Sequence, residues 1–316
     1  MLKIGLVGVG GISGTHIPAW QAREDAEIVA LCDVVSEKME TYEGINKYHD
    51  LNEMLEKESL DILDVCLPTY LHTEAILAGL KKGLHVICEK PTSMNKEDIK
   101  VIYDTAKENH VLFMPAHVLR FWPEYVALKE IYDSQRYGKL LNGYMCRLSF
   151  RPKWSWDNWM TDEKRSGLVP YDLHIHDLDF MVYLLGGPKD VVKHRMKRPD
   201  QDYLNVIYQY EDFFVVAESS WFAAETPFKA GYRFVFEEAV VLYEDGALNI
   251  YKNDGTVING GEAAAEGAAV INLPSTDAYA KGIEYFANCV KTGTNPDVIK
   301  PDELETVIDI LNDLNE

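Results

Sequence analysis

The chain has 316 residues and a mass of 35.9 kDa, a length typical of two domains at roughly 150 residues each. Hydrophobic residues make up 47% and charged residues 26%, which excludes long disorder, collagen-like repeats and a disulfide-dominated scaffold. Thirty-one Lys and Arg against fifty-one Asp and Glu give a formal net charge of −20. Because so acidic a chain has no cationic excess to neutralise phosphates, we expect neither nucleic acid nor a membrane surface as a partner.

The five cysteines are scattered along the chain, and no two of them form a Cys-x-x-Cys pair. Neither a disulfide framework nor a zinc ribbon is therefore predicted, and a reducing compartment fits best. Residues 1–7 run directly into a glycine-rich stretch, which leaves no room for the core of a signal peptide. No stretch reaches about 18 uncharged apolar residues. We expect a soluble, cytoplasmic protein.

Apolar runs and helical patterns alternate through the first part of the chain. Strands are predicted over residues 3–7, 28–32, 62–67, 84–88 and 111–114. Between them lie a helix around Ile17 and Trp20 and helices over 39–43, 51–57, 73–82 and 96–109. Continuous apolar strands separated by helices are typical of a parallel sheet buried on both faces. We therefore predict an α/β domain over residues 1–118 with a doubly wound parallel sheet.

Strand patterns dominate the second part of the chain, assigned to a second α/β domain over residues 119–316. They cover 141–150, 190–196, 204–210, 213–220, 232–236 and 239–243, with hairpin turns near 211–212 and 244–246. This spacing predicts a mainly antiparallel sheet. Helices are predicted over 171–185, ended by glycines, and around Leu304–Leu314, while the Gly/Ala-rich residues 259–269 are predicted to form a surface loop.

A glycine motif follows the first predicted strand: Gly8, Gly10 and Ser13 form the pattern Gly-x-Gly-x-x-Ser. In dinucleotide-binding proteins such glycines let the backbone approach a pyrophosphate that faces helix-terminal N–H groups. A plain tight turn is the alternative. Asp33 ends the second strand, where it can accept hydrogen bonds from ribose hydroxyls, and this context favours the cofactor interpretation over a helix N-cap. Since residues 34–36 supply no arginine for a 2′-phosphate, we predict NAD over NADP.

Residues 171–179 are dense in titratable groups at the start of a predicted helix. At roughly 100° per residue, Asp172, His176 and Asp179 fall within about 60° of one another, whereas His174 faces the other way. One face then presents a carboxylate, an imidazole and a carboxylate. A helix keeps His174 and His176 from converging on one ion, and we predict no metal site; a non-helical backbone that brings both imidazoles together is the alternative. For Asp172, a solvated carboxylate that complements the helix dipole is the alternative.

Lys90 and a group of tryptophans complete the candidate residues. Lys90 follows the fourth predicted strand, and ligands of open α/β sheets bind at the carboxyl ends of strands. Taken alone, it could equally be a surface lysine. Trp154, Trp156 and Trp159 could offer apolar faces to sugar C–H groups, although core packing is the commoner role for at least one of them.

Five short motifs occur along the chain in an order and spacing that can be compared with known families. They are Gly8-Val9-Gly10-Gly11-Ile12-Ser13, Leu67-Pro68-Thr69-Tyr70-Leu71-His72, Glu89-Lys90-Pro91, Arg120-Phe121-Trp122-Pro123 and Asp172-x-x-x-His176-x-x-Asp179. Through them, nearly the whole chain resembles the glucose-fructose oxidoreductase/inositol dehydrogenase/rhizopine catabolism (Gfo/Idh/MocA) family. The Glu-Lys-Pro and Asp-x-x-x-His motifs are far more specific than the glycine turn.

The resemblance implies a Rossmann domain followed by an α/β domain with a large open sheet. It also implies NAD(P)-linked oxidation or reduction of sugars or cyclic polyols, and homodimers or homotetramers joined through that sheet. By motif position, Lys90 and His176 are catalytic with Asp172 as their companion. The implied cofactor site contains Gly8, Gly10, Gly11, Ile12, Asp33, Leu67, Pro68, Thr69, His72, Glu89 and Lys90.

The predicted chemistry is hydride transfer from a secondary alcohol. A neutral alcohol is a poor hydride donor, so a base must take its proton, and an ordinary histidine, with a pKa near 6.5, suits that task. Asp172 would orient His176, while the Lys90 ammonium would stabilise the alkoxide. The candidate substrate-binding residues are Arg120, Asn158, Trp159, Tyr171 and His174.

A non-catalytic NAD(P)-binding regulatory or sensor protein is the alternative function. Some proteins of this fold regulate transcription without catalysis. The joint presence of Lys90, Asp172 and His176 favours the enzyme.

Overall fold

The computed structural model describes residues 1–259 and 276–316. These residues form two compact units: residues 1–118 with 276–308, and residues 119–259 with 309–316. Residues 276–308, assigned to the second domain on sequence grounds, thus pack with the first unit. None of the helices in the described ranges combines the length and apolar character that crossing a membrane requires.

Fourteen strands and nine α-helices are present in the described ranges. In chain order, the strands are β1 Leu2–Val7, β2 Ala26–Cys32, β3 Asn46–Tyr48, β4 Ile62–Val65, β5 His85–Glu89, β6 Phe113–Ala116, β7 Leu140–Phe150, β8 Asp190–Arg198, β9 Gln201–Gln209, β10 Phe214–Phe222, β11 Lys229–Phe236, β12 Ala239–Glu244, β13 Ala247–Lys252 and β14 Val257–Asn259. The helices are α1 Ser13–Gln21, α2 Leu51–Lys57, α3 His72–Lys81, α4 Lys96–Glu108, α5 Pro123–Asp133, α6 Glu163–Ser166, α7 Ile175–Leu185, α8 Thr276–Thr292 and α9 Pro301–Asn315.

The first unit contains a six-stranded sheet in the order β3-β2-β1-β4-β5-β6. All its strand pairs are parallel, which confirms the predicted doubly wound sheet of a Rossmann domain. Apolar clusters cover both faces, because successive strand residues point to opposite sides. Ile4 and Leu6 belong to one cluster, and Leu63 and Val65 to the other.

Helix α8 explains why residues 276–308 belong to the first unit. Ile283, Phe286 and Ala287 lie in the same buried cluster as Ile4 and Leu6 of β1. Since burial of apolar surface is the main favourable term in folding, this amphipathic helix is held by the parallel sheet. Neither α8 nor the sheet that it covers was predicted from the sequence.

The second unit contains an eight-stranded sheet in the order β14-β13-β12-β11-β7-β10-β9-β8. Only the β7–β10 pair among its described strands is parallel, so the prediction of a mainly antiparallel sheet is confirmed. Leu204, Val206 and Tyr208 on β9 are fully buried and alternate with partly exposed residues. In the core, the rings of Tyr125 on α5 and Phe180 on α7 meet edge to face at 4.8 Å.

Several local features differ from the sequence patterns, and α5, α6, α8 and β14 were not predicted. A helix was predicted over residues 39–43, but the structure has a short 3₁₀ helix, Ser36–Met39. Strand β3 was not predicted, because its three residues have no apolar pattern. The predicted loop over 259–269 lies outside the described residues except for Asn259, which ends β14.

Candidate functional site

The turn after β1 requires glycine at one position and leaves open space at another. Gly8 has a φ of +93°, and a Cβ there would lie 2.5 Å from the carbonyl oxygen of Cys66. A Cβ at Gly10 would meet nothing within 4 Å. The Ser13 hydroxyl donates to the Gly10 carbonyl at 2.7 Å where α1 begins. The turn thus exposes open backbone at a helix N-terminus, an arrangement suited to a phosphate group.

Asp33 anchors the same turn from the end of β2. Its Oδ2 accepts the backbone N–H of Val9 at 2.8 Å, and its Oδ1 accepts that of Val35 at 2.8 Å. Lys38 places its ammonium 3.3 Å from Asp33 Oδ2. The prediction considered only an arginine within residues 34–36, whereas this lysine lies two residues further on, in the 3₁₀ helix Ser36–Met39.

Loops after β4 and β5 reach the same edge of the parallel sheet. Leu67, Pro68 and Thr69 follow β4, while Glu89 ends β5 and Lys90 directly follows it. In open parallel sheets this carboxyl edge is where ligands bind. The structure therefore collects the glycine turn, the β4 loop and Lys90 at one edge of the first unit.

His72 braces two of these loops. Its Nδ1 lies 2.7 Å from the carbonyl oxygen of Pro91, and its Nε2 lies 2.7 Å from that of Leu67. Burial lowers the pKa of His72, and the hydrogen bonds to the two carbonyls oppose that effect. The ring links protein carbonyls on both sides and so holds the predicted cofactor loops together.

A buried network next to the glycine turn was missed by the sequence analysis. His16 on α1 lies between the carboxylates of Asp64 and Glu89, and Trp20 donates its indole N–H to Asp64 at 2.7 Å. The atoms of His16, Asp64 and Cys66 that could bind a metal ion lie within 4.8 Å of one another. Hydrogen bonds to carboxylates, however, already engage both ring nitrogens of His16. The available signal was a charged residue, Asp64, inside an otherwise apolar strand.

Asp172 and His176 lie at the junction of two kinds of helix in the second unit. Residues Pro170–His174 form a π-helical turn, and α7 begins at Ile175. Both side chains are half-buried. The ideal α-helical rotation used to place them on one face does not apply through the wider turn. Single π turns inside helices are frequent at functional sites. The presence of such a turn at the Asp-x-x-x-His motif therefore supports a functional role for the motif.

Asp179, three residues after His176 on α7, is held in a buried ion pair. It is 1% exposed and accepts the Arg120 guanidinium through both oxygens, at 3.0 and 2.7 Å. The guanidinium carbon also lies 4.5 Å from the centroid of the Tyr183 ring. Arg120 itself is 3% exposed, so its position supports a structural ion pair rather than the predicted contact with substrate.

His174 and Tyr171, two predicted substrate-binding residues, are buried in the core of the second unit. His174 Nδ1 lies 3.0 Å from the Ser219 hydroxyl, and Nε2 lies 2.6 Å from the Tyr208 hydroxyl. Burial lowers the pKa of His174 to about 3, so the ring is neutral. The Tyr171 hydroxyl donates to Asn312 at 2.6 Å. Both residues therefore support the helix that carries His176 and do not favour direct contact with a substrate.

The remaining predicted substrate-binding residues lie in a turn before α6. Asn158 is exposed, Trp159 is half-buried, and Asp157 and Asn158 have φ values of 49° and 51°. Trp154 and Trp156 are 62% and 45% exposed. Core packing does not account for these two exposed rings.

The parallel sheet, its glycine turn and the acidic residue ending β2 define a dinucleotide-binding oxidoreductase. The family described as "Oxidoreductase family, NAD-binding Rossmann fold" matches residues 2–117, and "GFO/IDH/MocA C-terminal domain" matches residues 125–249. The chain belongs to the Gfo/Idh/MocA family of oxidoreductases, and its first part is an NAD-binding Rossmann domain.

Two curated relatives each match about three fifths of the chain. An uncharacterized oxidoreductase of Streptococcus pneumoniae is 29% identical over 197 residues, which cover 61% of this chain and 52% of the relative. Myo-inositol 2-dehydrogenase of Thermotoga maritima is 29% identical over 190 residues, covering 58% and 55%. This chain thus spans about half the length of these relatives.

A solved structure matches the fold along the whole chain. It is an oxidoreductase from Agrobacterium radiobacter in complex with NAD+, L-tartaric acid and magnesium, with a TM-score of 0.84 and 17% identity. The match covers 99% of this chain and 96% of that one. At this identity the match establishes the shared fold.

Proposed function

We propose that the protein is an NAD-dependent dehydrogenase that oxidises a secondary alcohol of a sugar, a sugar derivative or a cyclic polyol. The observation that carries this proposal is the position of Lys90: it directly follows β5, at the same sheet edge as the glycine turn. Ligands of open parallel sheets bind at this edge, so an ammonium group there suits a substrate bound beside a nicotinamide. The name of the Thermotoga relative, myo-inositol 2-dehydrogenase, supports a polyol or sugar substrate.

The residues of the first unit fit a bound dinucleotide. Open space at Gly10 leaves room for a pyrophosphate, and the N-terminus of α1 supplies donors for its charge. The Asp33 carboxylate would accept hydrogen bonds from the ribose hydroxyls. When bound, NAD supplies the hydride acceptor.

The residues of the chain manage the proton and the developing charge. His176 would accept the hydroxyl proton as the carbinol carbon loses hydride, and it would return a proton in the reductive direction. Asp172 would orient the imidazole and stabilise its charged form. Lys90 would stabilise the alkoxide through its ammonium group.

A substrate panel tests the proposal. The protein is mixed with NAD and with inositols, aldoses and glycosides, and NADH formation is followed by absorbance while the products are identified by mass spectrometry. We expect at least one polyol or sugar to yield NADH and a product lighter by two hydrogens. Binding of NADH without turnover of any panel member would instead support the sensor alternative.

Two glycine variants separate folding from cofactor binding. Gly8→Ala should lower the free energy of unfolding by about 1–3 kcal/mol or more, because its Cβ would overlap the Cys66 carbonyl. Gly10→Ala should change that free energy by less than about 0.5 kcal/mol, yet weaken NADH binding at least about tenfold. Denaturant unfolding and NADH fluorescence measure the two effects. Unchanged NADH affinity in Gly10→Ala would show that the pyrophosphate does not approach this turn.

We propose NAD rather than NADP because Asp33 repels a 2′-phosphate, although the nearby Lys38 offsets part of that charge. Asp33→Asn keeps one of the two acceptor oxygens and removes the charge, so the ratio of NADP to NAD catalytic efficiency should rise at least about tenfold. Lys38→Met, the opposing control, should lower the ratio. A wild-type protein that is more efficient with NADP would contradict the preference.

A further inference from the structure

A buried network in the first unit takes no part in the chemistry proposed above. His16 lies on α1, the helix that follows the glycine turn, while Asp64 lies on β4 and Glu89 ends β5. Strand residues two apart share a face, so Asp64 lies on the face of Ile62, and Glu89 lies on the face of Ile87. Ile62 and Ile87 pack in the cluster that includes residues of α1. The fold therefore brings both carboxylates to the helix that carries His16.

Each nitrogen of the His16 ring faces a different carboxylate. Nδ1 lies 2.9 Å from Asp64 Oδ2, and Nε2 lies 3.0 Å from Glu89 Oε1. An ionised carboxylate only accepts hydrogen bonds, so a ring that satisfies both must carry both N–H protons as an imidazolium. His16 and Asp64 are 0% exposed and Glu89 is 5% exposed. At that depth, a missing partner is not readily replaced by water.

The surroundings of the ring favour the charged form. Burial opposes a charged imidazole, but Asp64 and Cys66 together outweigh that effect, and the pKa of His16 lies well above its usual value. Burial also raises the pKa of the Cys66 thiol to about 12. The Tyr279 ring of α8 lies 5.7 Å away, centroid to centroid. The imidazolium is thus matched by the two carboxylates that it bridges.

Glu89 extends this network to the backbone of Lys90. While its Oε1 meets His16, its Oε2 accepts the backbone N–H of Lys90 at 3.2 Å. We propose that His16 is a positioning residue: clamped between Asp64 and Glu89, it ties the helix after the glycine turn to the backbone that presents Lys90. The inference rests on the proposed function to the extent that Lys90 stabilises the alkoxide.

Two neutral variants distinguish the two bonds of His16. Asparagine places an amide nitrogen near the former Nδ1 and retains the bond to Asp64, whereas glutamine places one near the former Nε2 and retains the bond to Glu89. Both His16→Asn and His16→Gln remove the same positive charge. Any difference between them therefore reports which carboxylate matters, and each variant is the matched control of the other.

Three measurements are made on each variant: kcat with the best substrate of the panel, the NADH dissociation constant, and hydrogen exchange at the Lys90 amide. For His16→Asn we expect kcat to fall by about 10- to 100-fold, as when outer partners of a site are lost, and Lys90 amide exchange to accelerate at least about tenfold as its acceptor loosens. For His16→Gln both quantities should stay within about threefold of wild type. NADH affinity should change little in either variant.

Equal losses in the two variants, or no loss in either, would overturn the link through Glu89. If the wild-type protein oxidises no panel member, the proposed function fails. In that case Lys90 amide exchange still decides whether His16 controls this backbone, so the two failures are distinguishable.

A measurement on the wild-type chain keeps the proposal testable if His16→Asn does not fold. Nitrogen-15 NMR of the histidine side chains should show both ring N–H protons of His16 at neutral pH, protected from exchange. A single ring N–H would overturn the proposal, because such a ring cannot donate to both carboxylates.

Discussion

His176→Ala is expected to lower kcat by about 10²-fold or more, with NADH affinity unchanged. The loss follows because the substrate hydroxyl would keep its proton while hydride departs. In the oxidative direction the base must be unprotonated, so the wild-type kcat/KM should fall on the acidic side of its pH profile. The variant should lose that acidic limb. Steady-state kinetics across pH, with NADH binding by fluorescence, measures both effects.

The matched control for this variant is His194→Ala. His194 is an exposed histidine on strand β8 of the same unit, and its replacement should leave kcat unchanged. Near-normal turnover in His176→Ala would remove His176 from the mechanism. A loss of equal size in both variants would point to damage to the unit rather than to acid–base chemistry.

Lys90→Met should lower kcat by about 10²- to 10³-fold, the usual cost of removing one group that stabilises charge in a transition state. Methionine keeps the length of the side chain and removes the ammonium, so NADH affinity should stay close to that of wild type. Lys82→Met is the control, because Lys82 is an exposed lysine just before the same strand, β5. If Lys90→Met weakens NADH binding and leaves kcat intact, Lys90 is a cofactor ligand rather than an alkoxide stabiliser.

The fold was largely predictable because its signals are local. The apolar runs that became β1, β2 and β5 are continuous, as buried parallel strands require, and the helix patterns fill the gaps between them. The glycine turn was predictable for the same reason, since Gly8 and Gly10 must fit a short strand–helix connection. The packing of α8 on the first unit was not predictable, because an amphipathic pattern shows that a helix has an apolar face but not what covers it.

The side-chain partners in the candidate site could not be read from the sequence. His16 meets carboxylates 48 and 73 residues away, and Arg120 meets Asp179 across 59 residues. Such pairs arise only when the sheet order brings distant segments together. The π-helical turn was equally hidden, since it changes the backbone hydrogen-bond spacing and not the pattern of residue types. His174 lies in that turn and is buried, whereas His176, two residues further along the chain, lies in α7 and is half-buried. The sequence alone does not show this difference between the two histidines.

Transfer of deuterium tests the proposed redox chemistry most directly. The wild-type protein is incubated with NAD and with polyols or sugars deuterated at their carbinol carbons, and the extracted cofactor is analysed by mass spectrometry. The label is read in the reduced cofactor, because reoxidation from the same face would remove the deuterium again. We expect deuterium in the nicotinamide with wild type and at least a 100-fold lower rate of labelling with His176→Ala, the loss expected for a missing proton acceptor. An unlabelled cofactor across the whole panel, from a protein that binds NADH, would contradict hydride transfer from a polyol.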